Sequence, residues 1–199
     1  MKNPLIVDQV ATLQLLPEIL KEAQEGNQPS WRFKTILQRA DTTNGNGRKY
    51  PKDILMRESK RYQEEKIDNK YSYGELDHPD SDIVKFSNAC LTVESLDWDG
   101  NDLCGVIEIL DTPAGNIIRN ILKAGKRVGI SSRGMGTVKQ LGEIVEVNDD
   151  FEVVAWDIVT IPSTQKADFK YENLTEGKTN QTKYKWSKVN ELINKLIIS

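Results

Sequence analysis

Histidine is nearly absent from this sequence: His78 is the one example in 199 residues. Thiols are almost as scarce, with only Cys90 and Cys104. One histidine and two cysteines do not make a zinc set, so we expect no metal and no cofactor. The two thiols read as small buried hydrophobes in a reducing compartment. Long apolar runs are also missing. Leu5-Ile6-Val7 is followed at once by Asp8 and Gln9, too soon for the core of a signal peptide. No stretch approaches a membrane span. Positive charge is not in excess: 27 Lys and Arg face 30 Asp and Glu, a net −3 that argues against a general nucleic-acid binder. A hydrophobic share of 38% beside a charged share of 29% fits one domain with a core plus solvated tails.

What is present alternates between strand and helix signals. Residues 1–27 hold a short apolar run and a helix pattern with Pro17 in its first turn, an N-terminal arm or a first packing element. Trp31–Ala40 reads as a strand. Pro51 opens a helix to about Glu65, with Ile54, Leu55, Glu58 and Tyr62 at helical spacing. Residues 83–96 and 102–110 form a long hairpin around Trp98-Asp99-Gly100-Asn101. Asp111-Thr112-Pro113 starts a helix that ends near Ala124, with Gly125 just beyond it. Residues 127–136, Arg127-Val128-Gly129-Ile130-Ser131-Ser132-Arg133-Gly134-Met135-Gly136, read as a glycine-rich turn between that helix and a strand, and strand-like residues continue to 147. Phe151–Ile161 is an apolar run. Residues 165–185 turn polar, and an amphipathic helix follows from about Ser187. Long strands with only two interleaved helices favour an α+β fold with an antiparallel or barrel-like sheet over a doubly wound one.

Serine hydrolysis needs a nucleophile, a base and a group that orients the base. Ser131 or Ser132 can supply the first. His78 suits the second, because imidazole titrates near neutrality. For the third, Asp157 interrupts the apolar run Val153–Val159, and a carboxylate in a buried strand is costly unless paired. On pattern alone it faces solvent equally well. Glu75 and Asp77 are rival acids that read as solvated loop carboxylates. Arg133 could order an oxyanion site or bind a substrate carboxylate. The competing reading, from another class, is a non-enzymatic scaffold or structural component in which these residues only pack. A metal-dependent hydrolase lacks ligands.

Four motifs in order resemble the prohead core proteases of large tailed bacteriophages: Asn46-Gly47-Arg48-Lys49-Tyr50-Pro51, Gly74-Glu75-Leu76-Asp77-His78-Pro79, Gly100-Asn101-Asp102, and Gly129-Ile130-Ser131-Ser132-Arg133-Gly134-Met135-Gly136. The resemblance spans roughly residues 30–165. It implies a herpesvirus-protease-like fold, an antiparallel barrel-like β core with helices around it. It implies a serine endopeptidase that cuts scaffold and major capsid precursor proteins inside the immature head, in the host cytoplasm, without nucleic acid or membrane. A homo-oligomer is compatible with it. By motif match His78 is the base and Ser131 the nucleophile. The herpesvirus enzyme uses a second histidine, which this chain lacks, so Asp157 takes the third role. Ser132, Arg133 and Gly134 are expected as oxyanion donors or supports. Family members of this kind cut after Glu in a Leu/Ile-x-Glu context. Leu174-Thr175-Glu176 fits that context, so self-cleavage after Glu176 is expected, whereas Leu16-Pro17-Glu18 fits less well. Arg133 or Lys126 would neutralise the substrate Glu. The expected division is an arm or pro-segment at 1–27, a protease domain at 28–165, and a polar linker with the amphipathic helix at 166–199.

Overall fold

Residues 3–26, 30–160 and 172–174 are described by a computed structural model. In chain order they form β1 (Leu5–Leu13), α1 (Pro17–Gln24), β2 (Arg32–Arg39), β3 (Arg48–Lys49), α2 (Lys52–Tyr62) and β4 (Tyr73–Glu75). There follow β5 (Ala89–Asp99), β6 (Asp102–Ile109), α3 (Pro113–Lys123), β7 (Val128–Met135), β8 (Val138–Leu141), β9 (Ile144–Val147), β10 (Glu152–Val159) and β11 (Glu172–Leu174). Local chemistry sets several boundaries. The Thr112 hydroxyl accepts from the Gly115 N–H at 3.0 Å and caps α3, with Pro113 at the first helical position. Gly125, at φ +71°, lies just past the end of α3. The β5–β6 hairpin turns on Gly100, at φ +59°, and Asn101.

Two antiparallel sheets carry the fold. One has the order β1-β7-β10, the other β11-β2-β6-β5-β4. A small third sheet has the order β3-β9-β8. Phe33, Leu37, Leu91, Ile107, Ile130 and Trp156 are buried in a common core. The larger sheets meet where Leu76, just after β4, makes a parallel bridge to Ile158 of β10. That single bridge joins the edges of two open sheets. The expected α+β fold built on mostly antiparallel sheets is what the described residues form.

Three expectations change. Residues 127–136 are not a turn: Val128–Met135 is the central strand of its sheet, buried along nearly its whole length. Its glycines do not adopt positive φ, and Gly134 is there for close approach. A Cβ on Gly134 would lie 2.4 Å from the Phe151 ring. The first hairpin strand starts at Ala89 rather than at 83. Part of the expected linker, Glu172–Leu174, instead pairs antiparallel with β2, a backbone contact open to almost any sequence at a sheet edge. Glu176, the rest of the linker and the amphipathic helix lie outside the described residues. No described helix is long and apolar enough to cross a membrane.

Candidate active site

Alternation along a strand decides which residues meet. On β7, Ser131 and Arg133 are two apart and share one face, while Ser132 lies on the other. Ser131 is the register partner of Asp157 on β10, so their side chains are cross-strand neighbours. Ser132 pairs with Asp8 of β1 and Trp156 of β10. His78 arrives from a third direction, two residues after the Leu76–Ile158 bridge.

These elements converge on the Asp157 carboxylate, which is fully buried. Asp157 Oδ2 bonds His78 Nδ1 at 2.9 Å and accepts from Arg133 Nε at 2.8 Å. Oδ1 accepts from the Glu75 backbone N–H at 2.9 Å and from Arg133 Nη2 at 3.2 Å. The solvent-facing option for Asp157 is thereby excluded. An acceptor at Nδ1 selects the imidazole tautomer with its lone pair on Nε2. His78 Nε2 is itself buried and has no hydrogen-bond partner. It is not hydrogen-bonded to Ser131 or Ser132.

Glu75 is corrected most sharply. It is fully buried, not a solvated loop acid. Its Oε2 accepts from Arg133 Nη2 at 2.6 Å, and its Oε1 from the Lys85 N–H at 3.1 Å. Arg133 also donates through Nη1 to the Ser81 carbonyl. The guanidinium is thus a buried hub that ties β4, β10 and the loop after His78 to β7. It has no exposure through which to meet a substrate carboxylate. Ser132, Arg133 and Gly134 lie in a strand with a neighbouring strand on both sides, and the β10 register shifts opposite Arg133 and Gly134. The Arg133 side chain, through its bonds to Asp157 and Glu75, and the Ser132 hydroxyl, through the Asp8 carbonyl, both hold the frame around β7.

Asp77 is exposed and sits at φ +61°, a left-handed conformation that Asp tolerates better than most side chains. Its N–H donates to the Ile158 carbonyl at 2.7 Å. The reversal at Asp77 separates buried Glu75 from the imidazole that follows. We expect Asp77→Gly to keep stability and activity. Asp77→Val should cost about 1–2 kcal/mol and displace His78; thermal unfolding and kcat measurements check both.

On the opposite face of β7, Asp8 forms a second buried network that sequence reading missed. Its carboxylate bonds the Tyr50 hydroxyl, Arg48 Nη1 at 2.7 Å and Asn46 Nδ2 at 2.6 Å. Burial, and then the Asp8 charge, push the Tyr50 phenol well up. Ser132 Oγ donates to the Asp8 carbonyl at 3.2 Å. The Asn46–Tyr50 motif is therefore a clamp on β1, behind the serine strand.

The thiol nearest the site is inert. Cys90 is buried, and burial, then the Asp157 charge, push it up to about 12. The same two causes hold the Tyr62 phenol up. Both groups stay neutral beside Asp157. His78, Glu75 and Asp157 converge, but the cation they surround is Arg133. Among the described residues no group of three or more His, Cys, Asp and Glu is placed to hold a metal ion.

Comparison with known proteins adds to this geometry. Residues 5–179 match the model of the family described as prohead core protein serine protease. The prohead core protein protease of Enterobacteria phage T4 is 35% identical over 159 residues, covering 77% of this chain and 74% of that protein. The solved structure of the bacteriophage T4 capsid assembly protease superposes with a TM-score of 0.68 at 26% identity, over 80% of this chain and 98% of the other. On the family match across most of its length and the relative above 30% identity, the chain belongs to the prohead core protein serine protease family.

Proposed function

We propose that this prohead protease is a serine endopeptidase with Ser131 as nucleophile, His78 as base and Asp157 as the orienting acid. The observation that carries the reading is an imidazole held through Nδ1 by a buried carboxylate, with Nε2 buried and unpartnered. A buried polar atom without a partner is costly and asks for a reason. Acceptance of a proton from Ser131 supplies one. The hydroxyl sits on the strand position paired with Asp157, and catalytic hydrogen bonds often tighten only when substrate binds.

The chemistry is acyl transfer. Ser131 Oγ attacks the peptide carbonyl while its proton passes to His78 Nε2. The imidazolium, held by Asp157, gives that proton to the leaving amine. Water, deprotonated by His78, then releases the acid product and restores Ser131. By analogy with the T4 capsid assembly protease, the substrates are scaffold and major capsid precursor proteins inside the immature head. The preferred cut follows Glu in a Leu/Ile-x-Glu context, and Leu174-Thr175-Glu176 makes the chain its own substrate. The mostly antiparallel frame supports kinship with the herpesvirus maturation protease. A serine-reactive phosphonate probe should label the protein and fail to label Ser131→Ala. Mass spectrometry of active protein should show a cut after Glu176. An active preparation that stays intact, or is cut only elsewhere, would remove the self-cleavage claim.

A further inference from the structure

The buried charges around His78 do not balance in the way a Ser-His-Asp site requires unless Glu75 is counted. Arg133 contacts both oxygens of Asp157, so its positive charge opposes the negative charge that would hold an imidazolium. Alone, the Asp157–Arg133 pair has no net charge. Glu75, ion-paired to Arg133 at 2.6 Å with both side chains fully buried, restores a net −1. The imidazolium then brings the site to neutrality.

We propose that Glu75 is a positioning residue whose carboxylate offsets Arg133, leaving Asp157 with a full negative charge toward His78. The proposal rests on His78 serving as the base. Glu75 acts through Arg133 and touches no reacting atom. Among the packed elements, α2 offers Tyr62 and β5 offers Cys90, both neutral, and α2 also carries Arg61, ion-paired to Glu58 against β10. On the loop carrying His78, Asp77 and Asp80 are exposed and Asp82 is half-buried. Lys85 reaches Glu75 through its backbone N–H, and its side chain is exposed. These groups are common to every variant below, so they cancel in comparison.

The chain's single histidine makes the test direct, because its imidazole NMR signals need no assignment. The full chain is used, in a Ser131→Ala background that prevents self-cleavage. Glu75→Gln keeps an acceptor for Arg133 but makes the site one unit more positive. The His78 titration midpoint should fall by about 1 pH unit, the size expected for one nearby charge. Arg133→Gln should raise it by about as much. The double variant, Glu75→Gln with Arg133→Gln, restores the net −1, and its midpoint should return toward that of the background. A merely structural role for Glu75 predicts no such return.

An unchanged or raised midpoint in Glu75→Gln overturns the proposal. So does a double variant that stays where the single one lies. If Glu75→Gln does not fold, Arg133→Gln and the double variant decide the matter by the same two criteria. The two readings also fail separately. If the midpoints move as stated but Ser131→Ala still cleaves peptide, the serine mechanism falls and the charge assignment stands. If Ser131→Ala is inactive and the midpoints do not move, only the role of Glu75 falls.

Discussion

Ser131→Ala is expected to lower kcat for peptide cleavage by on the order of 10⁴-fold or more, while Ser132→Ala stays within about tenfold of the parent. The contrast follows from strand geometry. Adjacent residues of β7 point to opposite faces, so the two hydroxyls cannot substitute for one another. Ser131 shares its face with Asp157 and Arg133. Ser132 faces Asp8 and donates to its carbonyl; losing that bond costs about 1 kcal/mol of stability and leaves His78 in place. Alanine fits the Ser131 site without strain, because it only removes an oxygen from an ordinary strand position. The melting temperature of Ser131→Ala should therefore match the parent. A peptide assay beside thermal unfolding checks both halves. Loss of activity in Ser132→Ala with retention in Ser131→Ala would reverse the nucleophile assignment.

Punctuation signals carry much of the frame. Thr112, Pro113 and Gly125 bound α3 as their chemistry requires, and Asp99-Gly100-Asn101 turns the hairpin. The serine strand is not legible, for a physical reason. Glycine beside serine reads as a turn when only local conformation is weighed. In β7 the glycine at 134 instead makes room for the Phe151 ring, a partner 17 residues away in sequence (151 − 134). Glu75 and Asp77 look alike in a short acidic stretch. The Leu76–Ile158 bridge and the reversal at Asp77 send one inside and leave the other exposed. Arg133 reads as an oxyanion or substrate-carboxylate group because no partner is visible nearby in sequence, yet both its carboxylates come from other strands. Asp8 is the residue that sequence reasoning could have found. It interrupts the Leu5-Ile6-Val7 run much as Asp157 interrupts its own, and the two acids lie behind and in front of the same serine strand.

Asp157→Asn is the substitution expected to damage both activity and stability. Every contact made to this carboxylate comes from a donor: His78 Nδ1 and Arg133 Nε at Oδ2, the Glu75 N–H and Arg133 Nη2 at Oδ1. An amide offers one acceptor and one donor group. Arg133 meets both positions, so either orientation of the substituted amide sets an NH₂ against the guanidinium. If the NH₂ takes the Oδ2 position, it also drives His78 into the tautomer with the proton on Nε2, which can no longer accept from Ser131. If it takes the Oδ1 position, the Glu75 amide loses its acceptor and the bridge beside Ile158 loosens. The negative charge is lost in both cases, so the imidazolium is no longer held. We expect kcat to fall by about 10³–10⁴-fold. Breaking a buried ion pair should also cost about 3–5 kcal/mol of stability, seen as a lower melting temperature. That second loss separates Asp157→Asn from Ser131→Ala, which should lose activity with no change in melting. Full activity in Asp157→Asn would take this carboxylate out of the mechanism and leave Glu75, among the described residues, as the one buried acid joined to Arg133.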